Sequence, residues 1–281
     1  MITLAQKEFL LPKAYNAAIR AGAEILAVYE SEAPLDIDLK TDNTPITMAD
    51  RRSHELIKRY LGQTRIPVLS EEGREMLYTE RKDWDLFWLV DPLDGTKEFI
   101  KGNGEFTVNI ALMVDNKPLF GVIYVPYIRK IYFSDPDLGA FRKEGVVADP
   151  EAEFCYGEML ADVEKLPVTE ACNKPLRIAI SRSHNTEETF THINEFKLKH
   201  PDAVVSEQGS SYKFCLIAEG TFDYYIRTTG TYEWDTAAGE AILAAAGGRT
   251  LSHPAREEFA YNKESLLNPH FTCESSHLVK M

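Results

Sequence analysis

The chain runs to 281 residues and carries 31 Lys and Arg against 44 Asp and Glu, a formal net charge of −13. So acidic a balance argues against non-specific adhesion to nucleic acid or anionic lipid. A composition that is 44 % apolar and 27 % charged excludes disorder throughout and a fibrous repeat, and the length suffices for a sizeable core without disulfide staples.

Residues 6–31 place Tyr15, Ala18, Ile19, Gly22, Ile25, Leu26 and Tyr29 at intervals of three and four, which predicts an amphipathic helix. Lys7, Glu8, Lys13, Arg20 and Glu24 interrupt any signal-peptide core, and no later run reaches membrane-span length. The expected compartment is the cytoplasm, with contact to the cytoplasmic face of the inner membrane left open. After a polar loop at 40–45, Thr47 is placed to cap a second helix ending near Leu61, with Asp50 in its first turn. Short β-type runs at 67–70, 86–90, 107–114, 119–124 and 130–133 predict an antiparallel meander. The charged, proline-containing stretch 143–175 has weak periodicity and reads as a boundary or an insertion near a cleft rim, where it would affect substrate access or dimer contacts. Strands at 177–180, 203–205 and 222–227 then alternate with helices at 186–199, 212–219 and 236–246, which predicts an α/β second half. The domains expected are therefore 1–175 and 176–281. Cys155, Cys172, Cys215 and Cys273 form neither a Cys-x-x-Cys pair nor a zinc-type group and read as reduced packing thiols.

The segment from Trp88 to Glu98 carries the chemistry. An apolar strand ends in Asp91-Pro92-Leu93-Asp94-Gly95-Thr96, with two acids three residues apart. Two carboxylates that close call for a countercation. Pro92 fixes one φ and Gly95 permits a conformation closed to other residues, so the turn can aim Asp91, Asp94 and the Leu93 carbonyl at one point. Hard oxygen donors of this kind suit Mg²⁺. Gly95 and Thr96 can also open a short helix whose free N–H groups face a phosphate oxygen. A solvated turn with an Asp cap is the competing account. The spacing fits neither an EF-hand loop nor an aspartyl-phosphate Asp-x-Asp motif. Three further acids end or begin elements: Glu71 after a short strand, Asp50 in a capping box, and Asp235 where a helix rich in small residues starts. Each alone also reads as a surface charge or a cap.

Together these segments resemble the magnesium-dependent, lithium-sensitive phosphatases of the inositol monophosphatase superfamily, through Asp91-Pro92-Leu93-Asp94-Gly95-Thr96 and a later Trp234-Asp235 opening a helix. Asp42 to Thr47, Val68 to Glu72, Ile180 to His184 and Gly209 to Cys215 extend the likeness toward the 3'(2'),5'-bisphosphate nucleotidase branch. The stretch 143–175 has no counterpart in that pattern. The resemblance implies a layered α+β and α/β sandwich of the inositol monophosphatase and fructose-1,6-bisphosphatase type, with two halves facing a cleft.

By the same resemblance, Glu71, Asp91 and the Leu93 carbonyl hold one Mg²⁺, and Asp91, Asp94 and Asp235 hold a second. Asp50 supports a third ion or the attacking water, which Thr96 helps to orient. Two such ions acidify the attacking water and neutralise the leaving oxygen, so no Ser or Cys nucleophile is needed. Gly95 and Thr96 also meet the substrate, and Ser183, His184, Ser211, Lys213 and Arg227 meet the ribose and the uncleaved phosphate. Without the resemblance, Gly209 to Lys213 reads equally as a capped helix start and His184 as a structural donor. The implied reaction is hydrolysis of adenosine 3',5'-bisphosphate to AMP in sulfur metabolism, with 3'-phosphoadenylyl sulfate as a second substrate; inositol monophosphate hydrolysis is the alternative. The partner is thus a small nucleotide bisphosphate, not nucleic acid. The adenine contacts and the oligomeric state stay open.

Overall fold

Twenty-six consecutive residues of high helix propensity form the first element of the computed structural model, which describes residues 2–31, 37–40 and 44–281. This helix, α1 (Leu4–Tyr29), begins on a Thr3 capping box. The strands β1 (Ile37–Leu39) and β2 (Pro45–Thr47) pair antiparallel. The loop expected between them lies outside the described residues at 41–43. Helix α2 (Met48–Leu61) starts where Thr47 caps it. Then follow β3 (Val68–Ser70), α3 (Tyr78–Arg81), β4 (Leu86–Asp94), α4 (Thr96–Lys101), β5 (Thr107–Val114), β6 (Lys117–Val125), β7 (Lys130–Asp135), β8 (Gly139–Glu144), α5 (Tyr156–Met159) and β9 (Glu164–Lys165). The remainder comprises β10 (Arg177–Ser181), α6 (Glu187–Lys199), β11 (Val204–Gln208), α7 (Tyr212–Ala218), β12 (Tyr224–Arg227), α8 (Glu233–Ala245), β13 (Arg249–Ser252), β14 (Phe271–Glu274) and α9 (Ser276–Val279).

The strands build two sheets. One has seven strands, β3 to β9 in chain order; the other has five, in the order β11-β10-β12-β14-β13. The expected meander holds from β4 to β7 and continues through β8 and β9, which the sequence reading did not include, but β3 pairs parallel to β4, because α3 and its flanking loops carry the chain back to the same end. In the second sheet β10 lies parallel to β11 and β12, as an α/β pattern requires, while β14 runs antiparallel to both β12 and β13. Sequence reading missed β13 and β14.

Period-two alternation along the central strands explains the layering. Trp88, Val90, Ile110, Leu112 and Val122 face α1 and α2, whereas Phe87, Leu89, Ala111, Met113 and Ile123 face α7 and α8. The second sheet covers the far side of α7 and α8 and carries α6 on its outer face, where Ile178, Ile180, Ile193 and Ile226 pack. The order is helix, sheet, helix, sheet, helix. At Gly121 in β6, a Cβ would sit 2.3 Å from the Ala238 carbonyl oxygen of α8, so only glycine admits this close approach between the two halves.

No residue of the stretch 143–175 lines the cleft described below. The stretch supplies the end of β8, α5 and the edge strand β9, and it closes over α1. Asn16 and Phe154 exchange side-chain to backbone hydrogen bonds of 2.9 and 2.8 Å, Arg20 donates to the Ala152 carbonyl at 2.7 Å, and Met159 is buried in the first core. The four cysteines are unpaired; Cys215 and Cys273 are buried packing thiols, whereas Cys172 is half-buried and Cys155 exposed. No described helix is long and apolar enough to cross a membrane.

Candidate active site

The acids converge because β3 and β4 end side by side. Glu71 follows β3 and donates its backbone N–H to the Val90 carbonyl at 3.1 Å, one residue before Asp91. The pairing of β4 with β5 is interrupted between Asp91 and Asp94, which frees that backbone to turn. Asp91 is 1 % exposed, and its Oδ1 accepts the Leu93 N–H at 3.0 Å. Gly95 has a φ of +94°, and a Cβ there would meet the Glu105 carbonyl oxygen at 2.9 Å. The turn is therefore closed to other residues, and α4 starts at Thr96.

Asp50 and Asp235 are placed by the same local device. Each lies three residues after the N-cap of its helix and reaches back to the cap's backbone N–H, Asp50 to Thr47 at 2.7 Å and Asp235 to Tyr232 at 2.8 Å. Helix α8 thus begins at Glu233, earlier than expected, and Asp235 is inside its first turn and not at its cap.

Oxygens of Glu71, Asp91 and Asp235 lie within 4.8 Å of one another, the one group among the described residues able to hold a metal ion with three acidic or imidazole ligands. Asp94 lines the same cleft but lies outside that trio, its Oδ2 taking the Ser211 N–H at 2.5 Å. The Leu93 carbonyl accepts the Thr96 hydroxyl at 3.5 Å, and Thr96 also donates to Asp50 Oδ1 at 2.9 Å. Burial pushes the carboxyls of Asp91, Asp94, Asp235 and Asp50 upward. Glu71 adds to the rise at all four, while the nearby Lys213 opposes it at Asp94. Like charges so crowded fit a hard divalent cation among them.

One cation already touches this end. Lys40 Nζ pairs with Glu71 at 2.7 Å and Glu72 at 2.5 Å. Burial and the charge of Glu71 raise the Glu72 carboxyl to about 7.

Basic residues line the same cleft: His184, Lys97, Lys213 and Arg227, with Lys213 near enough to Asp94 and Arg227 near enough to Asp235 to oppose the rise of those carboxyls. Lys213 is 2 % exposed and donates to the carbonyls of Gln208 at 3.1 Å and Ser210 at 2.6 Å; burial, then Arg227, lower it to about 8. Burial and the cations around it, Arg227 and Lys97 foremost, hold His184 at about 4, so the neutral ring accepts from Lys97 Nζ at 2.9 Å. Arg227 is partly exposed, steadied by the carbonyls of Thr229 and Gly230 at 3.4 and 3.5 Å.

Two expected contacts are otherwise engaged. Ser183 is not in the cleft wall; it donates to Glu98 Oε1 at 2.5 Å and accepts from Lys101 at 3.0 Å. Ser211 lines the cleft, but its hydroxyl bonds Asn109 Oδ1 and Thr107, each at 2.7 Å, and caps no helix. Lys40, Lys97 and Tyr232 went unread in the sequence. Lys97 directly follows the Asp-Gly-Thr run and Tyr232 stands three residues before Asp235, so both were adjacent to signals already in view.

The Inositol monophosphatase family profile matches residues 6–278. The chain is 38 % identical over 271 residues to the 3'(2'),5'-bisphosphate nucleotidase CysQ of Salmonella typhimurium, covering 93 % of this chain and 98 % of that one. Against the protein of the same name from Escherichia coli K12 it is 39 % identical over 267 residues, with the same two coverages. The crystal structure of CysQ from Bacteroides thetaiotaomicron superposes with a TM-score of 0.85 at 46 % identity, covering 94 % of this chain and 96 % of the other. An inositol monophosphatase from Zymomonas mobilis shares the fold, with a TM-score of 0.72 at 24 % identity over 99 % of this chain and 97 % of that one.

Proposed function

The chain belongs to the inositol monophosphatase family, and from that premise we propose that it hydrolyses the 3'-phosphate of adenosine 3',5'-bisphosphate to give AMP and phosphate, and 3'-phosphoadenylyl sulfate to adenylyl sulfate, with Mg²⁺. The observation that carries this reading is that one cleft is lined both by the acids able to hold a cation and by Lys97, Lys213 and Arg227. A monophosphate needs only the first. A bisphosphate puts one phosphate at the acids' cation and the other against the ammonium and guanidinium groups. Relatives whose names state this activity at 38 and 39 % identity support the same substrate class.

In this reading Glu71, Asp91 and Asp235, with Asp94 and the Leu93 carbonyl beside them, hold the metal. When bound, Mg²⁺ supplies Lewis-acid neutralisation of charge on the phosphoryl oxygens. The chain does the rest. Asp50 fixes the Thr96 hydroxyl proton, leaving the Thr96 oxygen to accept from the attacking water and steer it at phosphorus. Burial raises Asp50, which makes its carboxylate a stronger proton acceptor than a surface aspartate. The backbone N–H groups opening α4 meet a phosphoryl oxygen. Lys213 and Arg227 take the uncleaved phosphate, and neutral His184 holds Lys97 in place.

Initial rates of phosphate release on the bisphosphate, its sulfated analogue and inositol 1-phosphate test the assignment. The bisphosphate is expected to lead, with Mg²⁺ required and Li⁺ inhibitory. Equal rates on inositol 1-phosphate would replace it with an inositol monophosphatase.

A further inference from the structure

Resting on the bisphosphate nucleotidase reading of this cleft, we infer that Tyr232 is the platform on which the nucleobase stacks. A nucleoside 3',5'-bisphosphate carries its phosphates through C3' and C5', at the edge of the ribose remote from C1', and the acids' cation and the basic side chains account for them. The base leaves from C1', away from either, and needs a third, uncharged surface.

The cleft wall contains four Phe or Tyr side chains. Phe214, Tyr225 and Phe271 are 2, 3 and 1 % exposed and have no face to offer; Tyr232 is 39 % exposed. Its ring lies parallel to that of Trp234, with centroids 5.0 Å apart and planes 14° from coplanar, so the indole backs it. Its backbone is pinned at both sides, by Asp235 Oδ2 on its N–H and by the Leu266 carbonyl, which accepts the next N–H at 3.0 Å. Tyr232 also bridges to Leu267, itself 47 % exposed, which widens the apolar rim. A ring held rigid on a second ring, at the mouth of a charged cleft and between Arg227 and Asp235 in the chain, is the arrangement that base stacking uses. An inositol ring has no π face and gains nothing from it. Tyr232 is thus a specificity determinant with no part in the bond broken.

The test compares Tyr232→Ala, Tyr232→Leu and Tyr232→Phe on adenosine 3',5'-bisphosphate and on a base-free counterpart, methyl riboside 3,5-bisphosphate. Ala and Leu are expected to raise KM for the adenosine compound about 5- to 100-fold, with kcat nearly unchanged. Phe restores the native KM, and none of the three moves KM for the base-free compound. Leu keeps the apolar bulk against Trp234, which separates stacking from packing. Ala and Leu variants matching native KM, or weakening both substrates equally, would overturn the platform while leaving the nucleotidase reading intact. A native protein that turned over neither bisphosphate would remove that reading and the platform with it.

Discussion

Replacing Lys213 with Met separates the cost of a buried charge from its use. The ammonium is 2 % exposed and is held at about 8 against an ordinary 10.5, a difference worth about 3 kcal/mol. Met removes that penalty and keeps the stem's volume, but strands the Gln208 and Ser210 carbonyls, at about 1 to 3 kcal/mol each. The opposing effects largely offset, so at pH 7 urea denaturation is expected to find the variant within about 3 kcal/mol of the native protein. The pH dependence has a definite sign. Below about 8 native and unfolded chains both carry the proton and the penalty is fully present. Between about 8 and 10.5 the unfolded chain binds more protons than the native one, so the native protein gains stability relative to Lys213→Met as pH rises, by up to about 3 kcal/mol. Function moves the other way. Loss of a charged donor to the second phosphate is expected to cost about 10- to 150-fold in kcat/KM on the bisphosphate and almost nothing on inositol 1-phosphate. The native enzyme's advantage on the bisphosphate should fade as pH rises through about 8, a fade that the variant lacks. Equal losses on the two substrates, or a large loss of stability at pH 7 with selectivity unchanged, would refute the reasoning.

Asp94→Asn keeps an oxygen for the Ser211 N–H while removing one of four crowded charges; kcat should fall at least about 10²-fold and the rise in melting temperature on adding Mg²⁺ should shrink, by stopped phosphate assay and thermal melts. An Asp94→Asn enzyme with native kcat would move Asp94 out of the catalytic set. Gly121→Ala, far from the cleft, is expected to destabilise by about 2 kcal/mol or more because its Cβ would meet backbone of α8 at 2.3 Å, and a melting temperature within a degree or so of native would show that the helix yields cheaply.

What the sequence made legible was local. Thr47 and Asp50 form the capping box read from their spacing, and the strand that ends in Asp91 turns at Gly95 because only glycine fits there. The α/β alternation after residue 176 followed from hydrophobic periods. What stayed hidden depended on distance in the chain. No spacing rule brings Lys40 onto Glu71, or engages the Ser211 hydroxyl with Asn109 and Thr107, since those contacts exist only once separate strands have docked. How the stretch 143–175 packs stayed hidden because its contacts, Asn16 to Phe154 and Arg20 to Ala152, are with a helix more than a hundred residues away and leave no period. Strands β13 and β14 were missed for the same reason: their pairing is to β12 and to each other, not to a neighbour announced by a turn.

In the proposed reading the cleft also accounts for how a chain of net charge −13 would serve a polyanion. Net charge acts over distances that salt screens to about 8 Å, whereas a bound phosphate feels the groups within reach. Lining the cleft are Lys97, Lys213 and Arg227, with Lys101 close enough to depress His184. They stand among the acids. A uniformly acidic cleft would have depended on metal for all attraction, so metal and substrate would bind only in that order. With cations among the acids, the proposed substrate's uncleaved phosphate would dock on Lys97, Lys213 and Arg227 without metal, and the acids would be left to a single task, holding the cations at which the other phosphate is cut.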